Sequence, residues 1–328
     1  MFYITTTTGV RLLDPTESAG IDLGNNPLEM TIFNVGGGEA ILLRQGMDGF
    51  MVDGGAYWGT GFFKRNAALG EKLANFLVDR KIKLLGMVAS HPHLDHLNAI
   101  SSMWEIGGDE IIGKGLELSG RRGTETASKL IIFESTKDRG TYLNETLGRA
   151  IKKNKNIQSI ILKVKDVIDI RWGGLLTGQL FKDNEVDSRP KYESIFMSLT
   201  FSNSCFLFTG DSYKSYERKL VNRDLLSETH VLKITHHGSS SGTGSLFLDA
   251  VRPHIAVAST SDHATHRLEE DVKERIRSEM PDALILDTST ANGDLVIRTD
   301  GKIRTVGNNN GVVYDVIVEN YRFRNSSQ

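Results

Sequence analysis

Short apolar runs that end in glycine, aspartate or histidine are the most regular pattern along this chain. The run MTIFNV at Met30 to Val35 is one example, and LLGMVA at Leu84 to Ala89 is another. Such runs, bounded by turn residues, are typical of buried strands. The other predicted strands are Ala40 to Leu43, Gly49 to Val52, Ser204 to Phe208, His230 to Thr235, Ile255 to Ser259, Leu284 to Leu286 and Leu295 to Arg298.

Apolar residues at helical spacing lie between several of these runs. A helix is predicted from Gly61 to Asp79, because its apolar residues fall on one face. The residues of that face are Phe62, Leu69, Leu73, Phe76 and Leu77. Further helices are predicted over Leu268 to Met280, over Ser212 to Leu226 and from Asp95 onward. Alternation of strands with helices favours an α/β architecture.

The segment from Ile106 to Arg189 is less regular. Its glycines are scattered, and it contains the basic stretch KKNK at Lys152 to Lys155. A basic run of this kind usually forms a solvated surface. We expect one domain over residues 1–328, with an elaboration at about residues 106–190 that supplies the walls of a substrate pocket.

Composition and charge narrow the function classes. The 328 residues are 39% hydrophobic and carry a formal net charge of −2, so bulk charge does not indicate a polyanionic partner. Cys205 is the only cysteine, which excludes an internal disulfide and a cysteine-rich metal site. No apolar run approaches the ~20 residues that cross a bilayer, and the first residues do not resemble a signal peptide. We therefore expect a soluble, cytoplasmic protein that does not bind membranes.

Three of the nine histidines lie close together in SHPHLDH, at Ser90 to His96. In an extended segment His91 and His93 point to the same side, and Asp95 and His96 follow where the chain turns into a predicted helix. Imidazole and carboxylate are the ligands that Zn²⁺, Mn²⁺ and Fe ions take in hydrolytic sites. Four potential ligands whose side chains point in two directions can bind two adjacent ions.

Further candidate ligands follow other predicted strands. Asp211 is the natural bridge, because one carboxylate can offer an oxygen to each of two ions ~3.5–4 Å apart. The histidines just past later strands are His236, His237, His263 and His266. Taken singly, a histidine or a Gly-Asp pair at a strand end is more often structural than functional. The clustering in SHPHLDH is what favours a metal site.

These motifs resemble those of metallo-β-lactamase-fold hydrolases. SHPHLDH is similar to the HxHxDH signature, and LFTGD and LKITHHGSSSG follow it in the family's order. IFNVGGGEAILLR, FMVDGGA and DLVIRTDGKI resemble segments of the soluble C-terminal domain of ComEC-type competence proteins. The resemblance spans about Met30 to Ile303. It implies an αββα sandwich, with two mixed β-sheets flanked by helices, and it is less specific for substrate.

The resemblance also implies metal ligands. His91 and His93 would bind the first metal, Asp95 and His96 the second, and Asp211 would bridge the two. His236 or His237 would complete the second site or face the substrate. His236 is favoured as the ligand, because it is nearer to the end of the strand.

Other matching residues would act around two divalent ions, Zn²⁺ or Mn²⁺. Asp53 would orient a ligand imidazole. Asp95, His237 and His266 are the candidate catalytic residues, with His237 or His266 protonating the leaving group. Ser239 and Ser240 would bind the substrate through the Gly/Ser-rich run after His237.

The chain also departs from the family pattern. Many members have another histidine between HxHxDH and the bridging aspartate, whereas none occurs here between His96 and His230. The first site therefore lacks its expected third histidine. Gly37 and Glu39 stand where the subfamily has glutamine and aspartate. The membrane channel of the competence proteins is absent, so a role in DNA uptake does not transfer.

The sequence thus predicts a dinuclear metal-dependent hydrolase that uses a metal-bridging hydroxide. A phosphodiesterase or nuclease is favoured, and its partner would be a phosphodiester in a nucleic acid or nucleotide. One alternative is a hydrolase of a lactone, thioester or amide on the same fold. Another is a non-catalytic metal-binding module, against which the presence of both Asp95 and Asp211 argues.

Overall fold

The computed structural model of the chain describes residues 1–7, 9–56, 62–120, 123–136, 145–174, 176–182, 194–261, 266–306 and 309–319, with only the backbone of residues 62–66. Within these ranges two mixed sheets lie against each other. The strands of the first sheet are β1 (Phe2–Thr6), β2 (Gly9–Leu12), β3 (Leu28–Ile32), β4 (Ile41–Gln45), β5 (Asp48–Val52), β6 (Lys83–Ala89), β9 (Leu130–Glu134), β10 (Ile157–Ile161), β18 (Asp294–Thr299), β19 (Ile303–Val306) and β20 (Asn309–Glu319).

The strands of the second sheet are β7 (Glu117–Gly120), β8 (Gly123–Thr126), β11 (Val167–Trp172), β12 (Leu176–Phe181), β13 (Phe196–Phe201), β14 (Ser204–Phe208), β15 (Val231–Lys233), β16 (Ile255–Ala258) and β17 (Leu284–Asp287). Its order is β17-β16-β15-β14-β13-β12-β11-β7-β8, and the first sheet has the order β10-β9-β6-β5-β4-β3-β18-β20-β1-β2, with β19 paired to β20. Each sheet contains a parallel group, β5-β6-β9-β10 in the first and β14-β15-β16-β17 in the second.

Helices cover the outer faces of both sheets. The helices are α1 (Pro15–Ser18), α2 (Phe62–Asp79), α3 (Leu94–Leu97), α4 (Ile100–Gly107), α5 (Leu147–Lys153), α6 (Lys214–Asn222), α7 (Ser245–Val251), α8 (Glu270–Glu279) and α9 (Thr288–Ala291), with 3₁₀ segments at Gly108–Glu110 and Thr235–Gly238. None of the described helices is long and apolar enough to cross a membrane.

Three buried clusters account for this layering. The largest cluster lies between the sheets and joins residues such as Ile32 and Val52 of the first sheet to Val231 and Val257 of the second. A second cluster packs α2 and α4 on the first sheet, through residues that include Leu73 and Met103. A third packs α6, α7 and α8 on the second sheet. Helix, sheet, sheet and helix therefore form four layers, and the predicted αββα sandwich is confirmed.

The predicted elements largely match the observed ones. Leu69, Leu73, Phe76 and Leu77 are buried along α2, whereas the side chain of Phe62 lies outside the described residues. Region 106–190 adds β9 and β10 to the first sheet and β7, β8, β11 and β12 to the second. The strands predicted from the sequence do not include β1 or β20, which lie near the two ends of the described chain. These two strands pair with each other, antiparallel, in the first sheet.

Candidate metal centre

The candidate ligands lie where parallel strands of both sheets end. The segment from Ser90 to His96 follows β6, and Asp53 follows its parallel neighbour β5. Asp211 follows β14, and His236 and His237 follow β15, the parallel neighbour of β14. Because the sheets face each other, these strand ends meet at one rim of the sandwich. Ligand sites are common at the carboxyl ends of parallel strands.

Hydrogen bonding fixes the tautomer of His91. The Ser90 hydroxyl donates to Asp53 Oδ2 at 2.7 Å, so its single proton is used there. Ser90 Oγ lies 3.0 Å from His91 Nδ1 and must therefore accept from that nitrogen. His91 Nε2 is left with a free lone pair, and it is buried without a hydrogen-bond partner among the described residues. A lone pair in this state is ready to bind a cation.

Two further histidines have the same arrangement. His96 Nδ1 lies 2.7 Å from Asp53 Oδ2, which fits the predicted role of Asp53 in orienting an imidazole. His237 Nδ1 donates to the carbonyl oxygen of Ser259 at 3.1 Å, because a carbonyl can only accept. The Nε2 atoms of His96 and His237 face each other at 3.2 Å. Two lone pairs at this distance would repel, so either a proton or a metal ion must lie on one of these nitrogens.

The Asp211 carboxylate divides the ligands into two pockets. Asp211 Oδ2 lies 3.6 Å from His91 Nε2 and 3.6 Å from His236 Nε2, and a ligand atom of His93 lies within 4.8 Å of those of His91 and Asp211. We call these three histidines the first pocket. Asp211 Oδ1 lies 3.2 Å from His96 Nε2 and 3.4 Å from His237 Nε2. His96 and His237 form, with Asp95, the second pocket.

The two adjacent histidines after β15 thus lie on opposite sides of Asp211. His236 lies in the first pocket, where the sequence lacked a third histidine, although it was expected to complete the second site. His237 lies in the second pocket, 3.6 Å from Asp95 Oδ2. Both residues have left-handed backbone conformations, with φ of 52° and 53°. Their ligand roles remain predictions, but this geometry places His237, and not the favoured His236, at the second pocket.

Asp95 and His266 lie at the more open side of the second pocket. Asp95 Oδ2 is 4.0 Å from His96 Nε2 and 3.9 Å from His266 Nε2. A Cβ atom at Gly37 would lie 2.4 Å from His266 Cγ, so His266 can take this position only because residue 37 is glycine. His263 lies outside the described residues.

A buried carboxylate holds the loop that carries His236 and His237. Glu217, on α6, accepts hydrogen bonds from the Thr235 hydroxyl and from the backbone N–H groups of Thr243 and Gly244, at 2.7–2.9 Å. Within the loop, Ser241 Oγ lies 2.8 Å from His236 Nδ1 and 3.0 Å from Ser239 Oγ. Of the two serines predicted to bind substrate, Ser239 thus contacts the partner of His236, and Ser240 is half-buried beside it.

The electrostatics of the site favour a bound cation. Burial opposes the charged form of His96, but the carboxylates of Asp211 and Asp53 outweigh it and raise the pKa of His96 well above its ordinary value. Burial also opposes ionisation of Asp211, yet His96, His237 and His91 hold the pKa of Asp211 well below its ordinary value. Burial lowers the pKa of His91 well below its ordinary value. Asp211 is therefore ionised and His91 neutral, as metal binding requires, whereas His96 carries a proton that a metal ion at its Nε2 would displace.

The distances test whether a metal ion fits. An ion about 2.1 Å from each ligand atom requires those atoms to lie about 3–3.5 Å apart. In both pockets the distances from Asp211 oxygens to histidine Nε2 atoms are 3.2–3.6 Å. Asp211 Oδ1, like His91 Nε2, accepts no hydrogen bond from the described residues. The residues present therefore fit one ion in each pocket.

Two residues with no predicted role lie beside the second pocket. Glu39 and Lys233 both have fully buried side chains, and Glu39 Oε2 lies 2.5 Å from Lys233 Nζ. An atom of Glu39 lies within 4.8 Å of ligand atoms of His96, Asp211 and His237. The sequence contains a signal for a buried charged residue here. HVLKIT has a lysine within an otherwise apolar strand, directly before the two adjacent histidines.

Comparison with known proteins identifies structural relatives only. No family model and no curated protein matches the chain. Human tRNase Z, short form, matches with a TM-score of 0.45 and 11% identity over 80% of this chain and 96% of its own. Unliganded yeast PDE1 matches with a TM-score of 0.44 and 11% identity, over 80% and 98%.

A third solved structure is CmlA, a diiron β-hydroxylase from Streptomyces venezuelae, with a TM-score of 0.46 and 11% identity over 84% of this chain. The chain spans 56% of the length of CmlA. At these identities and TM-scores, the matches do not identify the reaction of this chain. What the chain itself shows is the two-sheet architecture predicted for a metallo-β-lactamase fold, with a buried His, Asp and Glu cluster at its rim.

Proposed function

We propose that this protein is a dinuclear metal-dependent phosphodiesterase or nuclease. The observation that carries the proposal is the Asp211 carboxylate, whose two oxygens each face a separate group of histidine Nε2 atoms. A carboxylate in this position suits two ions ~3.5–4 Å apart. Zn²⁺ and Mn²⁺ both accept ligand sets of imidazole and carboxylate.

Charge in the centre also favours bound cations. Glu39, Asp53, Asp95 and Asp211 contribute four carboxylates, and the Lys233 ammonium group contacts Glu39. With all five groups ionised their net charge is minus three. One divalent ion would bring the net charge to minus one, and two would bring it to plus one. Uncompensated charge in a buried site is costly, so bound divalent ions would stabilise the centre.

The chain's own residues prepare the site for hydrolysis. Two bound divalent ions would lower the pKa of a shared water and stabilise charge on the attacking and leaving oxygens of a phosphodiester. Asp53 and Ser259 hold His96 and His237 with their Nε2 atoms inward. His237 is thereby committed to the second pocket, which leaves His266 as the residue near the leaving group.

The state of His266 limits what it can do there. Burial and the neighbouring His237 lower the pKa of His266 to about 4, so its imidazole is uncharged at neutral pH. It would therefore stabilise the leaving oxygen by donating a hydrogen bond, and would transfer no proton as an imidazolium. The serines of the Ser239–Ser241 segment lie on the first-pocket side, next to His236, where they would contact a substrate phosphate.

The resemblance of IFNVGGGEAILLR and ITHHGSSSG to the soluble domain of ComEC-type proteins favours a phosphodiester over other bonds. We therefore propose a nucleic acid or nucleotide as substrate, acted on in solution and without a membrane partner. This part of the proposal rests on sequence motifs.

The direct test is a metal and substrate survey of the purified chain. Chelator-treated protein would be loaded with Mn²⁺ or Zn²⁺ and assayed on bis-p-nitrophenyl phosphate, single-stranded DNA and a panel of lactones. We expect metal-dependent cleavage of the phosphodiesters, abolished in Asp95→Ala and retained in His254→Gln, a matched histidine substitution outside the candidate ligands. Cleavage of lactones alone would replace the proposal with a hydrolase of a non-phosphate bond. Failure to bind any metal would refute it.

A further inference from the structure

Glu39 and Lys233 form a buried ion pair between the two sheets. Val231, two residues before Lys233 on β15, belongs to the cluster between the sheets. Because strand side chains alternate, Lys233 lies on that same inner face. Glu39 comes from the loop before β4 in the opposite sheet. The pair therefore joins the sheets directly below the metal centre.

The backbone of Glu39 is fixed to the loops of the centre. Its N–H donates to the carbonyl oxygen of Asp95 at 3.0 Å, and its own carbonyl accepts from the N–H of Gly55 at 2.8 Å. Glu39 is thus tied both to the SHPHLDH segment and to the loop after β5 that carries Asp53. These two bonds hold the backbone of Glu39 beside the second pocket, and its side chain contacts Lys233.

The Glu39 carboxylate lacks the hydrogen bonds that a buried carboxylate requires. Oε2 contacts the Lys233 ammonium group, but Oε1 accepts no hydrogen bond from the described residues. Burying an ionised carboxylate without full compensation is strongly unfavourable. Asp211 Oδ1 and His91 Nε2, two atoms expected to bind metal, have the same unsatisfied state. Glu39 shares this feature with the candidate ligands.

We infer that Glu39 is a further ligand of the ion in the second pocket, and that Lys233 is a positioning residue that holds its Oε2 so that Oε1 faces the ion. The inference rests on the proposed metal centre. The supporting geometry is that ligand atoms of Glu39, His96, Asp211 and His237 all lie within 4.8 Å of one another. With Glu39, the second pocket has two carboxylates besides Asp211, whereas the first pocket has none.

The competing explanation is that Glu39 and Lys233 only stabilise the fold. A purely structural ion pair and a ligand pair respond differently when both partners are removed. Removing one partner leaves an uncompensated buried charge and destabilises the protein, and removing both relieves that penalty. If the pair were only structural, removing both charges would also restore normal metal binding.

The experiment compares Glu39→Gln, Lys233→Met and the double variant. Zinc content after dialysis and zinc affinity by calorimetric titration would be measured on the full chain, together with thermal unfolding of the chelator-treated protein. Asp294→Asn is the matched control, because Asp294 is also buried and paired with a lysine, Lys72 at 3.1 Å, and lies in neither ligand group.

We expect wild type and Asp294→Asn to bind two zinc ions. Glu39→Gln should retain one ion tightly and bind the other at least ~100-fold more weakly. This loss of affinity is at least as large as the loss expected when a residue that only contacts a ligand is removed. The double variant should recover thermal stability but not the second ion. Wild-type affinity in Glu39→Gln, or its recovery in the double variant, would overturn the inference and leave the proposed function intact. Absence of zinc from the wild type would instead refute the metal centre itself.

Discussion

Strand β15 has histidines at both ends, and the two ends differ in every respect that matters for metal binding. Before the strand, His230 packs edge-on against His254, with ring centroids 5.3 Å apart. His230 Nδ1 accepts from the Cys205 N–H at 3.1 Å, so one of its lone pairs is already used. After the strand, His236 and His237 direct Nε2 atoms at the Asp211 carboxylate.

The difference shows what distinguishes the candidate metal centre from a histidine cluster. Within the described part of the chain, the groups that could hold an ion contain four histidines, and each of them follows a strand: His91, His93, His96 and His237. There, a serine, an aspartate or a carbonyl group occupies Nδ1 and directs Nε2 toward a shared carboxylate. At the other end, a backbone N–H donates to His230 Nδ1, so the neutral His230 ring carries its proton on Nε2. The carboxylates and the groups that fix the tautomers therefore identify the site better than the number of histidines does.

The largest effect should follow from removing the residue shared by both pockets. Asp211→Ala takes one ligand from each ion at once, so we expect loss of both ions and a fall in phosphodiester hydrolysis of about 10³-fold or more. Metal analysis and steady-state kinetics would measure the two losses. His254→Asn, at the other end of the sheet, should keep both ions. Retention of two tightly bound ions in Asp211→Ala would contradict the bridging role.

A smaller effect should separate the two adjacent histidines. His236→Ala removes a ligand from the first pocket and His237→Ala from the second, so each variant should lose about one ion while the other ion stays bound. The ion lost should differ, because the pockets share only Asp211. Visible spectra of the cobalt-substituted variants would report which ligand set remains. Identical spectra for the two variants would place both histidines in one pocket.

The smallest effect concerns stability at the amino end of β15. Burial lowers the pKa of His230 to about 4 in the folded chain, below its ordinary value of 6.5. The unfolded chain therefore takes up a proton that the folded chain does not, and stability is lost as pH falls from about 6.5 to 4. His230→Asn keeps an acceptor for the Cys205 N–H and cannot titrate. In this variant the free energy of unfolding should fall less between pH 6.5 and 4, by on the order of 1–3 kcal/mol.

Urea unfolding at several pH values, in chelator, would measure this difference without a contribution from metal release. Parallel curves for wild type and His230→Asn between pH 6.5 and 4 would show that His230 does not govern the acid response.

The features that could be predicted from the sequence are those encoded locally. The apolar run at Leu84 to Ala89 leads into SHPHLDH, and the observed β6 ends at Ala89, where the run ends. Asp211 follows β14, and the two adjacent histidines follow β15, its parallel neighbour. Because parallel strands end at the same edge of a sheet, these residues could be placed together and near SHPHLDH. The order of motifs then predicted the two-sheet sandwich, which the structure confirms.

What could not be predicted depends on backbone conformation and on contacts between distant segments. In a continuing strand, His236 and His237 would point to opposite faces of the sheet. Two successive left-handed residues instead bring both side chains to the Asp211 carboxylate, one at each oxygen. Glu39 and Lys233 meet across 194 positions of sequence and between two sheets. The pairing of β1 with β20 joins the two ends of the described chain. None of these three features produces a pattern within a short stretch of sequence.

The position of the ligands at the rim has a consequence for the lifetime of the folded chain. Residues His91 to His96 follow a strand of the first sheet, whereas Asp211 and His237 follow strands of the second. Ions bound between these segments would link two halves of the polypeptide. Each tenfold excess of free ion over its dissociation constant would add about 1.4 kcal/mol per site against unfolding. A cell short of metal would then lose the protein itself to proteases, in addition to its activity.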